Sequence, residues 1–332
     1  MTTTSAGSTT GLGGTGPVIL GPTRRKVRLS VDGGDVEVLE GDSVLDACRA
    51  GGADVPTLCF LETLTPVNVC RVCVVELEGS RALVPACSRP AEAGMVVKTE
   101  SDRVRTSRRL VFELLASSVD LSLVGSEVEG WMQRSGVVAD RFGPSAPPSR
   151  PGERDAARAG EHEPPEAGVA ATVAQALKDD NPQYVRDYSR CILCYKCVEA
   201  CGTEDQHTFA ISVAGRGFDA RISTEFAVAL PDSACVYCGN CVAVCPTGAL
   251  MFSTEHELRQ NGEWDEERQT VTRTICPYCG VGCNLDLHVQ DNRIVKVAAP
   301  FDDSVTHGNL CVKGRFGFGF VQGDARKGPG PG

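Results

Sequence analysis

From residue 24 onward the chain alternates apolar and polar side chains. Val27, Leu29 and Val31, then Val36 and Val38, place every second residue on one face, which predicts two strands. Gly33-Gly34 between them predicts a hairpin. Asp42-Ser43 then caps a short helix that runs through Cys48 and stops at Gly51-Gly52. Val72 to Leu77 and Met95 to Lys98 read as further strands. Over residues 101–118 the period lengthens, and Val104, Leu110, Val111, Leu114 and Leu115 gather on one side of a predicted helix. A short helix is expected within 173–188, and a hairpin over Leu285 to Val297 turning at Asp291-Asn292.

Three stretches lack such patterns. Residues 1–23 are Thr-, Gly- and Ser-rich and are expected to be disordered; 143–172 reads as a linker, and 323–332 as a Gly/Pro-rich tail. The layout is therefore a β-rich unit at 24–100, a helical segment at 101–142, a cysteine-rich repeat at 173–255 and a last small unit at 270–322. The fold class is α+β.

Composition changes the picture through one residue type. The chain has 17 cysteines in 332 residues. Disulfide scaffolds are short and secreted; this chain is long, its cysteine count is odd, and its cysteines recur at C-x2-C spacings that suit metal. Available thiolates call for a reducing compartment, so a cytoplasmic protein is expected. Thr23-Arg24-Arg25-Lys26 looks like the start of a twin-arginine export signal, but the alternation that follows makes it the basic edge of a strand. No run approaches the ~18 apolar residues of a membrane helix. The net charge of −10 argues against a nucleic-acid partner.

Sixteen cysteines fall into four ligand sets. Cys191, Cys194, Cys197 and Cys201, with Cys235, Cys238, Cys241 and Cys245 before Pro246, follow the known spacing of bacterial two-cluster ferredoxins. In that pattern the fourth cysteine of each run serves the other [4Fe–4S] cluster. One set is thus Cys191, Cys194, Cys197 and Cys245; the other is Cys235, Cys238, Cys241 and Cys201. Gly202 stands where a proline could follow the first run. Cys59, Cys70, Cys73 and Cys87 form a third set, suited to a [2Fe–2S] cluster but with a longer loop than the plant-type spacing. Cys276, Cys279, Cys283 and Cys311 form the fourth, closed by a residue arriving after the hairpin. On spacing alone, tetrahedral zinc is the alternative for each set. Cys48, on a helix, is expected to be small core filler.

The residues between the cysteines carry a resemblance. Val44-Leu45-Asp46-Ala47-Cys48, Pro56-Thr57-Leu58-Cys59, Cys70-Arg71-Val72-Cys73 and Pro85-Ala86-Cys87 resemble the N-terminal domain of two families. These are the cluster-rich large subunit of complex I and the large subunit of formate dehydrogenases. Asn68 replaces the glycine usual before this C-R-x-C, and asparagine tolerates positive φ. Residues 274–283 with Leu310-Cys311-Val312-Lys313-Gly314-Arg315 resemble the opening of the bis-pterin molybdenum or tungsten oxidoreductases. The resemblance implies a β-grasp [2Fe–2S] ferredoxin domain, a bacterial two-[4Fe–4S] ferredoxin domain and a small β-rich [4Fe–4S] domain. It also implies that Lys313 lies between the last cluster and a pterin.

Two departures shape the functional expectation. Relatives carry a further cluster held by one histidine and three cysteines after the 101–118 helix, whereas residues 116–142 here contain neither residue type. Relatives also continue for several hundred residues past the last cysteine. The expected function is an electron-transfer subunit, or a truncated large subunit, relaying electrons between a metal–pterin site on another chain and a flavin/NAD-type acceptor, with no catalytic residues of its own. A subunit of a hydrogenase or complex I-like assembly, a zinc–thiolate protein and a nonfunctional gene remnant are the alternatives.

Overall fold

The computed structural model describes residues 24–143, 177–217, 220–301 and 305–322. The expected N-terminal disorder, nearly all of the linker and the tail lie outside these residues.

The first unit opens with β1 (Lys26–Val31) and β2 (Gly34–Leu39), paired antiparallel. Their turn is Asp32-Gly33, one residue earlier than expected. A two-residue turn of this kind needs two successive positive φ angles, and Asp32 (49°) and Gly33 (86°) supply them while Gly34 already pairs with Val31. Leu29, Val31, Val36 and Val38 point inward onto α1 (Val44–Ala50). A capping box starts that helix: the Asp46 N–H donates to Ser43 Oγ and the Ser43 N–H to Asp46 Oδ2. β3 (Val74–Leu77), β4 (Val84–Pro85) and β5 (Val96–Lys98) complete a sheet in the order β2-β1-β5-β3-β4. β1 and β5 run parallel, and the chain between them carries the helix and the cysteine loops. This is the β-grasp layout. β3 begins at Val74 rather than Val72, since Arg71 at φ 58° keeps the preceding residues in a loop.

Helix α2 (Asp102–Ser118) forms as expected, but on a different face. Val104, Arg108, Phe112 and Ala116 are buried at i, i+4 spacing, while Leu114 is 48% exposed. Leu114 lies about 200° round the helix from Phe112, so it cannot share that face. α3 (Ser126–Arg134) follows and packs Trp131 against Phe112, Leu58 and Val72. Buried Glu113 ion-pairs with Arg141 at 3.2 Å, and Trp131 Nε1 donates to Asp54 at 3.0 Å. Here, where the family resemblance would put a further cluster, the chain packs apolar side chains and ion pairs.

In the second unit β6 (Tyr184–Arg186) is followed by α4 (Lys196–Cys201), β7 (Ser212–Ala214), β8 (Arg221–Ser223), α5 (Asn240–Ala243), β9 (Leu250–Phe252) and α6 (Ser253–Gln260). β6 pairs with β9 and β7 with β8. The helix expected within 173–188 is absent over the described 177–188. Asn181 Oδ1 accepts the N–H groups of Gln183 and Tyr184 around Pro182, which turns the chain into β6 instead. The third unit is an antiparallel sheet, β10 (Thr270–Ile275), β11 (Asn284–Gln290) and β12 (Arg293–Ala298), followed by α7 (Val312–Phe316). Its β11–β12 turn is Asp291-Asn292, both at positive φ.

The units touch where the cysteines are. Ile192 and Cys70 pack on the cluster of Leu58, Val72, Phe112 and Trp131. Leu64 packs with Ala200 and Val244. Phe316 of α7 stacks on Tyr184 of β6.

Candidate metal centres

In the first unit the thiols of Cys59, Cys70, Cys73 and Cys87 converge. Cys59 hydrogen-bonds Cys70 and Cys87, and those contacts hold it well below the ordinary thiol range. A hydrogen bond from Cys87 likewise lowers Cys73 to about 7. Backbone N–H groups also aim at sulfur: those of Val69 and Cys70 at Cys59, that of Val72 at Cys70, and those of Ala86 and Cys87 at Cys73. Positive φ at Asn68 (61°) and Arg71 (58°) turns the loop so that these donors face inward. Asn68 thus adopts the conformation that its glycine-like position calls for. Cys48 lies apart on α1, fully buried, and burial pushes its thiol up to about 12.

The second unit repeats one local device twice. The N–H of Leu193 donates to Cys191 Sγ at 3.4 Å, and the N–H of Tyr237 donates to Cys235 Sγ at 3.4 Å. The next cysteine of each run accepts likewise from the residue two further on, Lys196 for Cys194 and Asn240 for Cys238. Leu193, Tyr195, Tyr237 and Gly239 carry the positive φ angles that make this possible. The third cysteine of each run sits on a helix, Cys197 on α4 and Cys241 on α5. Cys245 neighbours Cys191, Cys194 and Cys197. Cys201 lines one cavity with Cys235, Cys238 and Cys241. The two crossed-over cysteines also match: Cys201 Sγ lies 3.4 Å from Thr208 Oγ1, and Cys245 Sγ 4.0 Å from Thr247 Oγ1.

This donor set fits iron–sulfur clusters. Every converging ligand is a thiol, and the surrounding donors are hydrogen bonds to sulfur of the kind that tunes such centres. Burial pushes Cys191 up to about 12 and Cys194 up to about 11. These thiols ionise readily only beside a cationic metal. Among the described residues no three Cys, His, Asp or Glu side chains gather as tightly as a single metal ion would need.

In the third unit Cys283 neighbours Cys276, Cys279 and Cys311. Cys276 is buried, and its N–H donates to the carbonyl of Cys283 at 2.8 Å. Cys279 and Cys311 are exposed, so this set lies at the surface. Lys313, in the first turn of α7, is exposed as well. Two further residues meet the cysteine sets without standing out in the sequence. Arg315 is fully buried where α7 meets the second unit. Tyr184 brings its hydroxyl to 3.5 Å from Cys235 Sγ. The one local signal for Arg315 is its place four residues after Cys311; for Tyr184 there is none, since its partner is 51 residues away.

The similarity of the chain to known proteins follows the same divisions. Residues 24–102 match the 2Fe-2S iron-sulfur cluster binding domain, 190–249 the 4Fe-4S dicluster domain, and 269–323 the molybdopterin oxidoreductase Fe4S4 domain. The alpha subunit of the NADPH-Fe(3+) oxidoreductase of Geobacter sulfurreducens is 32% identical over 300 residues, which is 90% of this chain and 32% of that one. An NADH-quinone oxidoreductase subunit of Rhizobium meliloti is 32% identical over 297 residues, 89% of this chain and 32% of that one. A Staphylococcus haemolyticus protein with the provisional name of formate dehydrogenase is 26% identical over 338 residues, 90% of this chain and 31% of that one. The chain thus spans about a third of the length of these relatives. Among solved structures, a chain of an NAD+-reducing [NiFe]-hydrogenase superposes with a TM-score of 0.54 at 25% identity, covering 68% of this chain and 87% of that one. No helix of the described residues is long and apolar enough to cross a membrane. The chain is an iron–sulfur electron-transfer protein with a 2Fe-2S domain, a 4Fe-4S dicluster domain and a molybdopterin oxidoreductase Fe4S4 domain, related to the cluster-bearing subunit of NADH-quinone oxidoreductase and to formate dehydrogenase-like chains.

Proposed function

We propose that the chain is the relay subunit of a multi-subunit oxidoreductase, holding one [2Fe–2S] and three [4Fe–4S] clusters on the four cysteine sets. One observation carries this reading: each set lies beside the next. Cys194 is within electrostatic reach of Cys59, Cys197 of Cys241, and Arg315 of both Cys238 and Cys311. Clusters of these types, when bound, take up and release one electron at a time. The chain's own residues order the four sites, exclude water from the inner two and direct N–H groups at their sulfurs.

The set of Cys276, Cys279, Cys283 and Cys311 is the end open to a partner. Lys313 stands beside it and is assigned to the side facing a metal–pterin cofactor on that partner. The [2Fe–2S] set is the other terminus, facing a flavin/NAD-type acceptor subunit. A reducing compartment, the cytoplasm, is the assigned location, and the free thiols of the described chain support it. The test is stopped-flow absorbance of the dithionite-reduced, full-length protein mixed with a nicotinamide-linked flavoprotein or with a metal–pterin catalytic subunit. Oxidation by one of them is expected; failure of every such partner to exchange electrons would sink the reading.

The hydrogenase match favours a second version, in which the catalytic partner carries a hydrogen-activating site. The chain resembles most of that solved chain's length, so a protein of similar build and extent occurs there. Hydrogen-dependent bleaching with a hydrogenase catalytic subunit, absent with a metal–pterin subunit, would select this version.

A further inference from the structure

Arg315 is a buried cation between two thiol sets. It is 0% exposed, although α7 belongs to the third unit and is only five residues long. Its side chain leaves that unit and enters the second. Nε donates to the Cys238 carbonyl at 2.9 Å, and Nη2 donates to Asn240 Oδ1 at 3.0 Å and to the Gly308 carbonyl at 3.2 Å. Asn240 Oδ1 also accepts the N–H of Leu310, which locks the segment before α7 to the cysteine loop. Nη1 is buried and has no hydrogen-bond partner.

A buried, unpaired guanidinium N–H is costly unless something anionic meets it. No carboxylate is among the groups acting on this one. The anionic groups within its reach are the sulfurs of Cys238, Cys241 and Cys311. Burial lowers its pKa to about 10, which still leaves it protonated at neutral pH.

We propose that Arg315 is a tuning residue: its guanidinium charge, with Nη1 directed at sulfur, holds the cluster of Cys235, Cys238, Cys241 and Cys201 at a higher reduction potential than the chain would otherwise set. The physical basis is the sign of the charge. Reduction adds one negative charge to the cluster, and a fixed neighbouring cation stabilises that form more than the oxidised one. Placed also beside Cys311, the same charge makes the inner set the favoured electron sink for the surface set. A purely structural staple would serve equally well as a neutral side chain of the same reach. This inference rests on the cluster assignment above.

The experiment is an EPR-monitored potentiometric titration of the iron-loaded, full-length protein. Arg315→Gln is expected to lower the potential of that one cluster and leave the [2Fe–2S] potential in place, with iron content unchanged. Arg315→Lys, which keeps the charge, is expected to recover most of the shift. Equal potentials in wild type and Arg315→Gln at full iron content would overturn the proposal, as would a Lys variant that behaves like Gln. A readout in the wild-type fold covers an unstable Gln variant. With 15N-arginine labelling, pulsed EPR of the reduced protein should detect a nitrogen coupling that Arg315→Lys abolishes, and absence of that coupling contradicts the proposal. A chain with too little iron for four clusters would instead defeat the cluster assignment, and iron analysis reads that separately from any potential.

Discussion

A Cβ built on Gly239 would lie 2.4 Å from Cδ of Arg315. It would also lie 2.8 Å from the ring of Phe316. Gly239 has φ 72° and stands between Cys238 and Asn240, so one residue both shapes the cysteine loop and admits α7. Gly239→Ala should therefore cost about 1 kcal/mol in backbone strain and a further ~1–3 kcal/mol from overpacking. Gly262→Ala is the control, since Gly262 shares the positive φ but has nothing within 4 Å. Thermal melts of the holo proteins should show a large drop for the first and a small one for the second. Equal drops would mean that α7 does not dock as described.

The hydroxyl of Tyr184 offers a second handle on the same centre. Burial pushes its ionisation far above the ordinary range, so it stays a neutral donor 3.5 Å from Cys235 Sγ. Tyr184→Phe removes a hydrogen bond worth about 1 kcal/mol, which for one electron is about 40 mV. The potential of this centre should fall by that order. A rise would reverse the assigned role of the hydroxyl.

Glu113 is a structural carboxylate. It is fully buried, with Arg141 at 3.2 Å and the Val138 N–H at 3.3 Å. Glu113→Gln leaves the neighbouring guanidinium without its counter-charge, and a cost of ~1–3 kcal/mol is expected. Chemical denaturation of the wild type and the variant should register that loss. An unchanged midpoint would mean that solvent compensates the pair.

These cases mark what the amino-acid order makes legible. The four cysteine sets are readable because short spacings on tight loops leave few ways to group thiols. The hairpins are readable from alternation, and Asn68 from its glycine-like position. The first turn falls one residue before Gly33-Gly34 because any residue of the Asp32-Gly33-Gly34 run can tolerate positive φ. The buried face of α2 departs from the apolar stripe because Arg108 and Glu113, both buried, look like surface residues until Glu100 and Arg141 are placed beside them. Arg315 and Tyr184 act across 77 and 51 residues of sequence, beyond the reach of any local pattern.

Cys48 separates filler from ligand. Its thiol stays protonated at neutral pH because burial raises it to about 12. Cys48→Ala should leave iron content and every EPR signal intact, at a modest cost in stability. Cys59→Ser should erase the [2Fe–2S] signal alone. Loss of that signal in Cys48→Ala would place the ligand set on the wrong cysteines.

Low-temperature EPR with iron and zinc analysis on the anaerobically purified full-length chain tests the four-cluster relay most directly. The expected result is about 14 iron atoms per chain, no stoichiometric zinc, one [2Fe–2S] signal and three [4Fe–4S] signals upon stepwise reduction. A colourless, zinc-loaded protein, or one whose iron falls short by a whole set, would contradict it.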